Sequence, residues 1–172
     1  MMKKWLPIAL VIVVLVALFG FISMRRSQMM GGGGMGGSTL ELTAVSQDGN
    51  AIPVPADVEA VTGKLAAGSA AQQVGDMIVV LSLTPYPGTM REPTDFAVKL
   101  LDATGQSIDD ASITLDMTMP AMHMPQNQPA LGHVSDGQYQ GNGQFTMRGW
   151  WRIEVIITRG GDTRSAFFDL GL

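Results

Sequence analysis

No cysteine occurs among the 172 residues. That absence excludes a disulfide framework, thiolate-held zinc or iron–sulfur centres, a thiol nucleophile and a lipidated cysteine. Histidine is nearly as scarce. His123 and His133 are the only two, too few for a closed structural zinc site. Charge is sparse and uneven. Four of the 11 basic residues, Lys3, Lys4, Arg25 and Arg26, bracket one apolar run, leaving 7 basic against 15 acidic side chains from Ser27 onward. So acidic a stretch is repelled by phosphate backbones, which argues against nucleic acid as a partner. Catalytic signatures are missing as well: there is no G-x-S-x-G elbow, no H-E-x-x-H, no P-loop and no G-x-G-x-x-G after a strand. The acids are scattered, and Asp109-Asp110 reads as a turn cap rather than an acid–base pair. The chain is not expected to be an enzyme.

What is present begins with a long apolar run. Trp5 to Ser23 is 19 residues without a charge, and as a helix it would reach ~28 Å, close to the ~30 Å hydrocarbon core of a bilayer. A cleaved signal peptide would have a shorter apolar region ending in small residues. This run ends Phe19-Gly20-Phe21-Ile22-Ser23-Met24-Arg25-Arg26, so residues 1–26 read as an uncleaved signal anchor, a single transmembrane helix in contact with the lipid bilayer through residues 5–23. Residues 27–38 follow, with six glycines at 31–34, 36 and 37. Such a composition makes a Gly/Met-rich coil, and the stretch Met24–Ser38 would span about 20 Å. Met29, Met30 and Met35 could touch a soft metal, but a plain spacer explains them.

Residues 39–75 are weakly patterned and read as a poorly defined extension. Leu40, Leu42 and Ala44 alternate like a short strand. Gln47-Asp48-Gly49-Asn50 is a turn, and Val58, Val61 and Leu65 share one face of a short helix. AAGSAAQQ (66–73) reads as a loop. Residues 76–172 are regular. Met77–Thr84 is an apolar strand, and Phe96, Val98 and Leu100 alternate along 95–101. Ile113, Leu115, Met117 and Met119 share one face of 112–119. Gly141-Asn142-Gly143 is expected to turn a strand at 138–140 into another at 144–148. Trp151, Ile153, Val155 and Ile157 share a face of the next strand, and 165–170 is the last. Seven short strands, with turn signals about every 8–12 residues, are the mark of an all-β, immunoglobulin-like antiparallel β-sandwich.

One stretch is chemically dense. In M-T-M-P-A-M-H-M-P, residues 117–125, four methionines surround a histidine. Thioether sulfur is soft and imidazole borderline, a donor set suited to Cu(I) and poorly suited to Mg²⁺, Ca²⁺ or, without thiolates, Zn²⁺. Pro120 ends the strand because it cannot donate to a ladder. Met122, His123 and Met124 therefore fall in a loop closed by Pro125 and are the leading metal ligands. The same thioethers could instead form a hydrophobic contact surface. Met119 and Met117 continue the apolar face, so core packing competes with ligation there. Met147 and His133 form a second tier: Met147 shares a strand face with Phe145, and His133 follows the polar loop Gln126–Leu131.

Several stretches together resemble the YtkA-like domain, a relative of FixH-like proteins. They are Ser82–Gly88, Phe96–Leu115, the Met-Pro-x-Met loop within Met117–Pro125, Asp136–Met147 (D-G-Q-Y-Q-G-N-G-Q-F-T-M) and Gly149–Val155 (G-W-W-R-I-E-V). The resemblance runs from about Met77 to the C-terminus and departs at Arg91–Pro93, where a plainer Gly-x-Asn turn is usual. It implies a membrane-anchored domain on the outer face of a bacterial plasma (inner) membrane, associated with copper handling or oxidase assembly. The charges flanking the apolar run are nearly balanced. The secreted-type β pattern and the resemblance therefore orient the domain, which is expected to be extracytoplasmic. Two functions compete: a Cu(I) carrier that hands its ion to a copper-accepting membrane protein, and a metal-free module that docks on a membrane complex such as an oxidase or efflux system.

Overall fold

The computed structural model describes residues 41–172. The apolar run and the tether lie outside the described residues, and no described helix is long and apolar enough to cross a membrane. The elements in chain order are β1 (Thr43–Val45), α1 (Ala56–Thr62), β2 (Ser69–Val74), β3 (Met77–Thr84), β4 (Pro93–Asp102), β5 (Ser112–Thr118), β6 (Ala130–Ser135), β7 (Gln138–Gln144), β8 (Trp150–Arg159) and β9 (Asp162–Gly171).

All ladders are antiparallel and run β1-β9-β8-β5-β6-β7-β4-β3-β2. β1, β9, β8 and β5 make one face; β2, β3, β4 and β7 make the other. β6 pairs with β5 through Ala130 and Leu131 and with β7 through Gly132 to Ser135, so it carries the chain from one face to the other. The result is a nearly closed sandwich. Its open seam lies between β2 and the β1–β9 pair, where Gln72 stands in for a ladder. The Gln72 Nε2 amide donates to the Val45 carbonyl at 3.2 Å, and its Oε1 accepts from the Phe167 N–H at 2.7 Å.

Period-two alternation places the core. Trp151, Ile153, Val155 and Ile157 on β8 are buried opposite Phe96, Val98 and Leu100 on β4, while the intervening residues face outward. Trp151 is fully buried, whereas its neighbour Trp150 is 39% exposed. The helix forms where Val58, Val61 and Leu65 pointed. They pack with Ala71, Ile78 and Leu101 in a second, smaller cluster on the outer side of the β2–β3–β4 sheet.

Three local expectations are corrected. Residues 69–73 are not a loop: Ser69 onward is β2, paired with β3 from Ser69↔Ser82 to Val74↔Met77, so this stretch belongs to the sandwich. Alanine and glutamine carry little strand signal, which hides this element in the sequence. Ala130 and Leu131, read as the end of the polar loop, and residues 132–135 after them form β6. Finally, Gly141-Asn142-Gly143 does not turn the chain, and no separate strand occupies 144–148. β7 runs straight through these residues, paired with β4 from Lys99↔Gln138 to Pro93↔Gln144. The glycines serve close approach instead. A Cβ on Gly141 would lie 2.7 Å from Leu131 Cδ2 and 2.9 Å from the Ala130 carbonyl oxygen.

Candidate functional site

The strand directions gather chemistry at one end of the sandwich. β5 ends there and the 119–129 segment begins. The β3–β4 connection (85–92), the β7–β8 connection (145–149) and the last residues after β9 reach the same end. The first described residues lie there too, since the Leu42 N–H donates to the Tyr86 hydroxyl at 3.2 Å.

The methionines separate by depth. Met117 is fully buried and Met119 nearly so, both within the main core. Met117 Sδ sits under Gly143, 3.1 Å from where a Cβ would be, and Met119 Cε lies 2.6 Å from the corresponding position on Gly149. Packing therefore accounts for these two. Pro120 does end the ladder, and the Met122 N–H closes a turn by donating to the Met119 carbonyl at 2.9 Å. That turn throws Met122 out to 51% exposure, with His123 exposed beside it. Met124 folds back, half-buried against the core.

Behind the turn the chain is held firmly. Asn127 O accepts from Met117 N–H at 3.0 Å, Pro129 O accepts from Leu115 N–H at 2.9 Å, and Asn127 Nδ2 donates to the Gln144 carbonyl at 3.2 Å. Between this segment and the β7–β8 connection lies a groove of about 670 Å³ lined by Met124 and Met147, with Arg91, Gln126, Asn127 and Gln144 on its rim. The structure thus brings Met147 to the loop, as a half-buried side chain packed on the core. Its carbonyl is fixed by the Trp151 indole N–H at 3.0 Å, and Trp151 itself is locked edge-on against Phe145 at 5.3 Å. Arg91 is held too: at φ 63 it occupies the left-handed region, its N–H donating to Phe145 O at 2.7 Å and its carbonyl accepting from Gln144 Nε2 at 2.6 Å.

His133 is not part of this end. Its position on β6 lies past the Ile113↔Leu131 pair, at the opposite end of β5, roughly 20 Å away at ~3.3 Å per residue. Its Nε2 bonds Asp109 Oδ1 at 2.7 Å, and its ring tilts over Tyr139 at 5.1 Å. The same carboxylate accepts the Gly137 N–H at 2.6 Å. The Gly137 amide first, and His133 second, hold the Asp109 carboxyl below its ordinary range. Asp110 pairs with Arg159 at 2.6 Å. Among the described residues no three His, Asp or Glu side chains converge as a hard-metal site.

Met90 also reaches this end, unannounced by any pattern in the sequence. Its backbone bridges Phe145 and its side chain is 38% exposed at the methionine end. A lone methionine separated from the cluster by some 30 positions offers no local signal.

Architecture and side chains together define an all-β antiparallel domain with a thioether-rich end. The chain belongs to the YtkA-like family, whose model matches residues 71–156, from β2 into β8 and across the whole methionine segment. Neither a curated protein nor a solved structure matches it.

Proposed function

We propose that this protein is a membrane-tethered, extracytoplasmic binding protein of immunoglobulin-like fold that carries Cu(I) on Met122, His123 and Met124, with Met147 beside them. In this reading residues 5–23 span a bacterial plasma membrane, and the cargo passes to a copper-accepting membrane protein during copper handling or oxidase assembly. The protein acts by binding, without catalysis. One observation carries the reading: two methionines and a histidine share a proline-bounded turn, and packing accounts for neither the exposed Met122 nor His123. Neutral thioether and imidazole donors suit Cu(I), need no deprotonated thiol and release their ion readily by ligand exchange. Met117 and Met119 support the loop from the core.

Titration of the full chain with Cu(I) tests this. About one equivalent should bind, with no comparable Zn²⁺ affinity. In the Met122→Leu/Met124→Leu double variant apolar volume is kept and both sulfurs are lost, so binding should collapse while the β-type circular dichroism persists. Unchanged Cu(I) affinity in that variant would sink the site.

A metal-free docking module is the second reading, favoured by the groove between Met124 and Met147 and its amide-bearing rim. It expects partner association to survive the same double substitution.

A further inference from the structure

All the sulfur in this chain is thioether, so no thiol competes with methionine for an oxidant. The described methionines are graded by depth. Met77, Met117 and Met119 are buried in the core, and Met124 and Met147 are half-buried against it. Met122, at 51%, and Met90, at 38%, stand open to solvent. One of these exposed sulfurs therefore belongs to the proline-bounded turn, and the other lies outside it, in the β3–β4 connection.

The turn is built so that a change at the Met122 sulfur does not reach the fold. Its side chain takes no part in core packing. The segment is held instead by main-chain bonds, from the Met122 N–H to the Met119 carbonyl at 2.9 Å and from the Met117 N–H to the Asn127 carbonyl at 3.0 Å. Turning a core methionine into a polar group disrupts its packing. At Met122 there is no packing to disrupt.

We propose that Met122 is a reversible oxidation site for peroxides and hypohalous acids, and that its oxidation switches off copper uptake. With hydrogen peroxide, the sulfur lone pair attacks one oxygen and the O–O bond breaks as the S–O bond forms. The proton on the transferred oxygen passes to the departing hydroxide to give water. Sulfur loses two electrons and the peroxide gains them. The sulfoxide presents a hard oxygen where a soft sulfur had been, and so is a poor donor to Cu(I). Conversely, a soft ion seated on Met122 occupies the lone pair that the oxidant needs, so the loaded turn is protected. The inference rests on the Cu(I) reading proposed above and adds a regulation to it: an oxidising surrounding closes the carrier to new cargo, and a methionine sulfoxide reductase reopens it.

Hydrogen peroxide treatment of the full chain, followed by mass spectrometry of its peptides, tests this. Met122 and Met90 should gain oxygen several-fold faster than Met117 and Met119. Ag(I), a soft ion that peroxide does not cycle between oxidation states, should slow Met122 several-fold and leave Met90 unchanged. Cu(I) uptake by the oxidised chain should fall several-fold with the β-type circular dichroism intact, and should return after treatment with the reductase. Met122→Gln, which places an amide oxygen near where the sulfoxide oxygen would lie, should reproduce the loss, and Met90→Gln should not. Undiminished Cu(I) uptake once Met122 is fully oxidised overturns the switch and leaves the copper reading standing. So does oxidation of Met122 no faster than that of the buried pair, or equal slowing of Met122 and Met90 by Ag(I). Loss of the β signal on oxidation would make the effect one of unfolding and overturns it as well. An unoxidised chain that takes up no Cu(I) overturns the copper reading and the switch together.

Discussion

Met119 and Met122 are three positions apart, yet one is nearly buried and the other is half in solvent. Alternation explains the first, because Met119 continues the inward face of Ile113, Leu115 and Met117. Pro120 explains the second by ending that face. Depth therefore divides the cluster into packing and chemistry, and substitution should divide it in the same way. Met117→Leu should cost less than about 1.5 kcal/mol, as a volume-conserving swap, and leave Cu(I) uptake as it was. Thermal melting together with a copper titration of that variant checks both. The two adjacent tryptophans offer a sharper contrast. Trp151 is fully enclosed, touches Phe145 and fixes the Met147 carbonyl, so Trp151→Ala should lose about 3–5 kcal/mol. Trp150→Ala should stay within about 1 kcal/mol. Equal losses in denaturant unfolding would mean the register of β8 is wrong.

The elements differ in how much of themselves they write into the sequence. β3, β4, β5, β8 and β9 alternate or run apolar because one or both faces meet the core, and their positions were legible to within three residues. β2 was not, since its buried positions are the small Ala70 on the core side, Ala71 beneath the helix and the polar Gln72. β6 was not, because Gly132, His133, Val134 and Ser135 are all exposed and only Leu131 faces inward. In β7 the glycines pointed to a turn, while the real constraint is Leu131 and Ala130 pressing on the strand from β6. The candidate site is legible where its residues are contiguous, at 122–124. Met90 and Met147 join it only through the pairing of distant strands. The seam shows a further kind of illegibility. Gln72 has an ordinary polar side chain in the sequence, yet in the fold it satisfies a carbonyl on β1 and an amide on β9. Gln72→Leu should cost about 1–3 kcal/mol, because both groups lose their partner in a buried setting. Urea unfolding of the variant would show it, and hydrogen exchange should rise first along β1.

For the whole molecule, carboxylates set the acid limit. Asp76 is held below its ordinary range by Arg164, Asp102 by Thr104 and the Gln106 amide, and Asp109 by the Gly137 amide and His133. A carboxyl depressed in the fold stabilises it above the unfolded pKa and loses that contribution as pH falls through the folded value. Stability should therefore be flat through neutrality and decline below about pH 4. Asp109→Asn should make the decline shallower. Melting temperatures from pH 7 down to pH 2 would reveal the difference, and a variant curve parallel to that of the parent would refute it.

The β1–β9 pair sets Thr43 directly across from Asp169, a few residues from where the described chain starts and stops. The path through the domain is thus almost a loop. A short bridge between Leu172 and Glu41 would close it, and a cut at Gly160-Gly161, where neither glycine has a neighbour within 4 Å of a Cβ, would reopen it at the far end. Such a circular permutant would keep every ladder and the methionine turn while moving both ends of the domain's chain to the pole opposite the methionines.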